Sequence, residues 1–382
     1  MHKIKLAIIG ASYLQEPLIQ KAKSRGIETH VFAWKVGDVG EKSADYFYPI
    51  SITEKEEILK KCEEIGIDGI CTIASDLAVT TVGYVAEHMG LIGNSADSII
   101  KSTNKHMMRK CFEENGNPSP KSKQVTSIKD LEGIELTYPI IVKPVDRSGS
   151  RGITELDGPE GLEEAIERAI EQGFEKCALV EEFATGKEYS VEFISWKGQH
   201  NFLALTQKYT TGSPMFIETG HKEPAAVSDE MLEKVKKIVM HALTSLGIEY
   251  GASHSELKIS ESGDVKLIEI GGRMGGDNIG AALVELSTGY DFLSGVIDVA
   301  LGIEPTIIKK DNGFAGIRFI FNQTDIDVLN RMKADNPEIL IEEDVHEITE
   351  TKVTDSGSRF GYYLFASKDV AVIDKYMPEC EA

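Results

Sequence analysis

The first 95 residues alternate short apolar runs with amphipathic stretches, a rhythm that few folds accommodate. Residues 4–9 (IKLAII) form a continuous apolar run, as expected of a strand buried on both faces of a parallel sheet. Gly10 follows, then a helical pattern through about Arg25, closed by Gly26. Glu28–Ala33 reads as the next strand, Ile58–Ile65 as helix, Gly69–Ile73 as strand and Thr80–Met89 as helix. The alternation predicts a doubly wound domain whose ligands sit beyond the strand C-termini, near Gly10-Ala11-Ser12 and Ser75-Asp76. Gly10 lacks the following glycines of a dinucleotide fingerprint, so a tight strand–helix turn accounts for it equally well.

Length sets the next bound. At 382 residues the chain exceeds one ordinary core and predicts roughly two or three domains. The net charge of −21 argues against a broad nucleic-acid surface and against anionic membranes, but not against a nucleotide site. Cys62, Cys71, Cys111, Cys177 and Cys380 are scattered without a C-x-x-C pair, which predicts neither a disulfide framework nor a zinc site and fits a reducing cytoplasm. The opening apolar run is too short for a secretory signal, and no run of about 20 apolar residues is present.

Three separated segments carry chemistry. In YPIIVKPVDRSGSRGI (residues 138–153), Tyr138–Val142 reads as a strand ended by Lys143-Pro144, and Asp146 to Gly152 as a polar, glycine-rich turn. One ammonium then lies beside a run of free backbone N–H groups, a combination that holds polyphosphate. Ser148, Ser150 and Arg151 add donors, and Gly149 lets the backbone approach closely. This is not a Walker loop, and alone it is equally a solvated lysine beside a turn. In the second segment, Ala178–Phe183 is a strand followed by a short turn and a returning acid, Glu188. The backbone around Glu182–Ala184 suits an adenine edge, and Glu188 suits ribose hydroxyls.

The third segment is the most constraining. Ala252–Ile259 and Val265–Ile270 read as strands joined by the turn Glu261-Ser262-Gly263-Asp264. In such a hairpin Glu256 and Glu269 can face each other, and two like charges so placed repel unless a cation sits between them. Hard oxygen ligands bridging to phosphate suit Mg²⁺, with Mn²⁺ as an alternative. The loop Gly271-Gly272-Arg273-Met274-Gly275-Gly276-Asp277 follows, with one arginine able to clamp a carboxylate or phosphate. A solvated acidic hairpin is the competing reading.

Taken together, these segments resemble the ATP-grasp superfamily in order and type, and the resemblance covers nearly the whole chain. It implies a multidomain α/β and α+β fold. The expected parts are a Rossmann-like pre-ATP-grasp domain over 1–95, an ATP-grasp domain over 96–304 and a small C-terminal α+β domain over 305–382. The grasp domain comprises two α+β subdomains, with a lid at about 118–184. By the resemblance Lys143 contacts the α- and β-phosphates, Asp146–Gly152 is the mobile loop over them, and Lys105 is the first nucleotide-contacting lysine. Glu181, Glu182, Phe183 and Ala184 correspond to the adenine hinge, Glu188 to the ribose acid, Glu256 and Glu269 to the magnesium acids, and Arg273 to the arginine that stabilises an acyl phosphate. One position departs: where many members place Asn two residues after the second acid, this chain has Gly271. Water or Asp277 would substitute, or a second metal would be held loosely.

Residues 206–225 (TQKYTTGSPMFIETGHKEPA) contain Lys208, Glu218, His221 and Lys222 between turn residues. This segment resembles the substrate pocket of dipeptide-forming amino-acid ligases, where Glu218 would bind an ammonium and His221 would accept a proton from the attacking amine. Solvated loop charges are the alternative. The resemblance implies an ADP-forming carboxylate–amine ligase using ATP and Mg²⁺ on small molecules, without nucleic-acid or membrane partners and compatible with a homodimer. Carbamoyl-phosphate-synthetase-like or purine-pathway chemistry on bicarbonate or formate shares these motifs. A non-catalytic ATP-binding regulator is the reading from another class.

Overall fold

The computed structural model describes residues 3–147, 149, 151–349 and 352–379. Its first layer runs β1 (Lys5–Ile9), α1 (Glu16–Ser24), β2 (Glu28–Phe32), α2 (Val39–Ser43), β3 (Tyr46–Tyr48), α3 (Lys55–Ile65), β4 (Gly69–Cys71) and α4 (Asp76–Met89). The four strands are parallel in the order β3-β2-β1-β4. Helix α4 starts a turn earlier than its apolar pattern suggests, because the Ser75 hydroxyl caps it by accepting from the Ala78 N–H at 3.3 Å.

Helices α5 (Ala96–Thr103) and α6 (Lys105–Glu114) lead into a second sheet, made of β5 (Ser122–Val125), β6 (Ile140–Pro144), β7 (Thr154–Leu156) and, after α7 (Leu162–Gln172), β8 (Ala178–Glu182). The four strands are antiparallel in the order β5-β8-β6-β7. Helix α7 packs Ala165, Ile166 and Ala169 on Val142 and Val180. The sequence reading placed the β6 strand over 138–142. It lies two residues later, because Pro139 has no N–H for a ladder and Lys143 and Pro144 still pair with Leu179 and Ala178.

The third sheet contains β9 (Lys187–Trp196), β10 (Gln199–Thr210), β11 (Glu218–Glu223), then, past α8 (Asp229–Leu246), β12 (Gly251–Ile259) and β13 (Val265–Gly271). Helices α9 (Val284–Thr288) and α10 (Phe292–Ala300) precede β14 (Phe314–Phe319), α11 (Gln323–Asp335), β15 (Leu340–Val345), β16 (Gly361–Ser367) and α12 (Val370–Asp374). All eight strands form one sheet in the order β13-β12-β9-β10-β11-β14-β16-β15. Residue 305 therefore marks no break in the sheet, since β14 continues it from β11 through Gly220↔Arg318 to Glu223↔Ala315. The C-terminal residues keep a core of their own around Ile320, Met332, Tyr363 and Tyr376. The first layer shares its core with the large sheet, where Phe292, Val296 and Ile297 of α10 meet Ile8, Ile70 and Ile194.

Most of 206–225 is strand, so the alternative of a solvated loop holds only for the turn at 211–217. These residues contribute to two antiparallel strands, β10 and β11, paired from Gln207↔Lys222 to Thr210↔Glu218. Charged residues hid the strand pattern, because here the face turned to the interior is polar. No helix among the described residues is long and apolar enough to cross a membrane.

Glu223 ends β11 fully buried, accepting hydrogen bonds from Thr206 Oγ1 and Ser287 Oγ at 2.6 Å each. Burial pushes its carboxyl up to about 7 from an ordinary value of 4.5. A raised folded-state value gives stability that is complete below pH 4.5 and lost as pH rises through 7. Each unit is worth about 1.4 kcal/mol. Glu223→Gln is therefore expected to gain about 1–3 kcal/mol over the parent at pH 8 and nothing at pH 4. Urea unfolding at the two pH values checks this, and an equal difference at both would refute it.

Candidate functional site

A cleft of about 420 Å³ opens between the second sheet, the large sheet, the turns after β1 and β4, and residues 356–359. Its lining includes Lys105, Lys143, Gly149, Arg151, Glu181–Ala184, Glu188, Glu218, His221, Glu256, Glu269 and Arg273, which brings the described sequence-predicted residues together. Ser148 and Ser150 lie outside the described residues.

At one end the walls are apolar: Ile141, Phe183, Phe216 and Ile268, with the Lys258 ammonium 4.7 Å from the Phe183 ring centre. Apolar walls with an ammonium over one ring suit the face of a flat aromatic group. The amides of Glu182 and Phe183 are already spent on the carbonyls of Lys121 and Pro139 at 3.0 and 3.1 Å. An adenine edge here is left to carbonyl groups and to Ala184. The Glu181 carboxylate is not a free hinge group either. It is buried, salt-bridged to Lys143 Nζ and 3.0 Å from Arg109 Nε. Burial alone would raise the Glu181 carboxyl, but Arg109 and Lys143 hold it below the ordinary range. Burial lowers the Lys143 ammonium, with Glu181 opposing.

Glu256 and Glu269 face each other directly across β12 and β13. Each is met by a lysine: Lys208 Nζ lies 2.6 Å from Glu256 Oε1, and Lys105 Nζ 2.8 Å from Glu269 Oε1. Lys105 also donates to the Arg147 carbonyl at 2.7 Å, so one ammonium ties the β12–β13 hairpin to the glycine-rich turn. Lys208 is 3% exposed and also reaches Glu188 at 3.0 Å and Glu218 at 3.5 Å. Burial would raise the Glu256 carboxyl, but Lys208, assisted by His254, holds it well below the ordinary range.

Among the described residues no group of three or more His, Cys, Asp and Glu forms a metal cluster. Two opposed carboxylates with room for phosphate oxygens nonetheless fit Mg²⁺, which keeps few protein ligands and completes its shell with substrate and water. Behind Glu256, the His254 ring lies 3.4 Å from Glu256 Oε1 through Nε2 and is bound to Glu192 through Nδ1. Burial opposes charge on this ring, but the Glu192 carboxylate outweighs burial and raises it to about 9. Glu192 also accepts from the Gly275 N–H at 3.0 Å. A Cβ at 275 would lie 2.7 Å from His254 Nδ1, so only glycine lets the loop approach this pair.

Arg273 is gripped by a residue from the first layer: its Nε and Nη2 each lie 2.8 Å from an oxygen of Asp76. Farther along the cleft, Glu218 accepts from Ser356 Oγ at 2.9 Å. His221, opposite Lys208 on the neighbouring strand, is 1% exposed and edge-on to Phe319. Its Nε2 is 3.8 Å from Asp277 Oδ2, and neither ring nitrogen has a hydrogen-bond partner among the described residues. Burial lowers this imidazole, with Asp277 opposing, so the ring is neutral and able to accept a proton. Asp277 itself is committed to Arg359, which reaches both its oxygens at 2.6 and 3.0 Å and covers the Phe319 ring at 3.6 Å. Tyr13 and Leu14 close this end from the first layer.

The sequence points to Asp76 only as lying near a ligand and to Lys208 only as a charge of the 206–225 segment, and gives no role to His254, Arg359 or Tyr13. An alternating strand pattern over 199–210 would have placed Lys208 and Thr206 on one face. Nothing in the sequence brings Arg359 to Asp277, 82 positions away.

Residues 136–281 match the family model of the ATP-grasp domain. Alanine–anticapsin ligase of Bacillus subtilis is 28% identical over 248 residues, covering 59% of this chain and 52% of that protein. The N-terminal section of the carbamoyl phosphate synthase large chain of Methanopyrus kandleri is 22% identical over 260 residues, 64% of this chain and 45% of that protein. The chain thus spans about half the length of these curated relatives. Among solved structures, the L-amino acid ligase from Bacillus licheniformis superposes with a TM-score of 0.84 at 22% identity, covering 98% of this chain and 96% of that one. The biotin carboxylase domain of Hydrogenobacter thermophilus 2-oxoglutarate carboxylase, in complex with MgADP, ADP and bicarbonate, gives 0.76 at 18% identity, covering 96% and 87%. The match to the ATP-grasp domain is thus confined to residues 136–281, while the fold over nearly the whole chain is that of the L-amino acid ligase structure.

Proposed function

We propose that this protein joins a carboxylate to an amine at the expense of ATP, releasing ADP and phosphate, and that both partners are amino acids or short peptides. The carrying observation is that one cleft unites two different ends. One end holds the opposed acids Glu256 and Glu269 with Lys105, Lys143 and Arg273. The other holds a buried neutral imidazole beside the carboxylates of Glu218 and Asp277. Similarity to alanine–anticapsin ligase and to an L-amino acid ligase supports the same reading.

Lys143 and Lys105 hold the phosphates, with the amides of the glycine-rich turn, while the apolar slot by Phe183 takes the base and Glu188 the ribose. Glu256 and Glu269 would hold Mg²⁺, which neutralises phosphate charge when bound. The substrate carboxylate then attacks the γ-phosphorus, giving an acyl phosphate and ADP. Glu218 receives the ammonium of the second substrate, His221 accepts its proton, and the free amine attacks the acyl carbon as phosphate leaves. Arg273 stabilises the charge that develops on the acyl oxygen. Gly149 and Arg151, which line the cleft, help to shield the acyl phosphate from water.

The test is ADP release across a matrix of amino-acid pairs, bicarbonate and formate, with nucleotides separated after turnover. The expected result is ADP formed only when a carboxylate and an amine are both present. Full turnover on bicarbonate alone would move the protein to the carbamoyl-phosphate-synthetase-like chemistry. A dominant AMP product would exclude the acyl-phosphate route, and no turnover with any pair would favour the regulator.

A further inference from the structure

We infer that Asp76, from the first layer, is a positioning residue for Arg273, and that Gly271 is glycine in order to leave Asp76 room; this rests on the reading of Arg273 above. A Cβ built on Gly271 would lie 2.8 Å from Asp76 Oδ1, and 3.1 and 3.2 Å from Nε and Cζ of Arg273. Side-chain carbons do not approach that closely. Gly271 is not among the residues with positive φ, so glycine is needed here for space rather than for backbone conformation. The space beside Gly271 is thus filled by a carboxylate reaching in from 195 positions earlier in the chain.

The grip is two-pronged, with Nε on Oδ1 and Nη2 on Oδ2 at 2.8 Å each. A paired, planar contact of this kind fixes the plane of the guanidinium as well as its position. Arginine has five N–H donors, so the contact leaves others for an oxygen in the cleft that Arg273 lines. The carboxylate is itself fixed. Asp76 opens α4, the Ser75 cap sets the first turn of that helix, and the Ala74 N–H donates to the Met274 carbonyl at 3.1 Å. Ala74 also packs on Gly276, where a Cβ would meet Ala74 Cβ at 3.4 Å. The turn after β4 and the loop after β13 are therefore one docked unit. The first layer, through Asp76, determines where the reaction arginine points.

The test compares Asp76→Asn, Asp76→Ala, Gly271→Asn, Arg273→Ala and the double variant Asp76→Ala/Gly271→Asn, each checked for folding by thermal unfolding. Asp76→Asn keeps the shape of the contact but loses its charge. It is expected to lower kcat about 10- to 100-fold with KM for ATP changed less than about twofold, because a misaimed group costs the transition state rather than nucleotide binding. Gly271→Asn should lower kcat in the parent but cause no further loss in the Asp76→Ala background, where the space is vacated. A purely structural role for Asp76 would move the unfolding temperature and both kinetic constants together. Normal kcat in Asp76→Asn while Arg273→Ala is inactive would overturn the inference and leave the reading of Arg273 intact. So would losses from Gly271→Asn and Asp76→Ala that multiply independently. Normal kcat in Arg273→Ala would remove the underlying reading instead.

Discussion

Glu269→Gln is expected to lower kcat about 100- to 1,000-fold while the protein stays folded. The exchange keeps the size of the side chain and an oxygen for Lys105 Nζ, now 2.8 Å away, and Lys105 retains the Arg147 carbonyl. What disappears is one of two opposed negative charges, and with it half of the protein's share of the proposed divalent-cation site. The loss should fall on turnover, and on the Mg²⁺ concentration needed for it, more than on unfolding temperature. ADP release measured against Mg²⁺, with thermal unfolding alongside, decides the matter. A folded variant with kcat within about threefold of the parent would show that phosphate transfer does not depend on this acid.

Lys208→Met is expected to be the most damaging single exchange for stability in the cleft. One buried ammonium stands between Glu188, Glu218 and Glu256, at 3.0, 3.5 and 2.6 Å. Removing it leaves three carboxylates facing one another, with the His254 imidazolium, 3.4 Å from Glu256, as a remaining cation beside them. Stripping the partner from a buried charge costs about 3–5 kcal/mol. A divalent cation should restore part of this, because a ligand of the folded state stabilises it by mass action. Chemical unfolding with and without Mg²⁺ or Mn²⁺ should show a large metal-dependent gain for the variant and a small one for the parent. Equal stability of variant and parent in metal-free buffer would mean that Lys208 is not the counter-ion of this cluster.

Some of the site could be read from sequence because each part is local. Lys143 and the turn behind it are contiguous, and so is the hairpin that sets Glu256 against Glu269. A period of two and a short turn bring the two acids to neighbouring positions, but a regular register would set Glu256 against Ile268; a β-bulge between Glu256 and Leu257 shifts it onto Glu269. The strand–helix alternation of the first layer was legible for the same reason, since its strands pair in parallel and read as apolar runs. The strands over 206–225 were not legible, because Lys208 and His221 face each other across β10 and β11 on a buried polar surface. Hydrophobic patterning cannot register a strand whose interior face carries ions.

The order of motifs along the chain determined that this protein has a nucleotide-sized site with two opposed acids, a lysine and an arginine, and it flagged Gly271 as unusual. The tertiary structure decided what holds those groups in place. Arg273 is aimed by Asp76, 197 positions earlier; Asp277 is neutralised by Arg359, 82 positions later; and Glu256 is held by Lys208 from a strand two away in the sheet. The reason is physical. A side chain's chemistry belongs to its residue, but its charge state and direction depend on the partners that folding brings within about 3 Å, and local sequence carries no record of those.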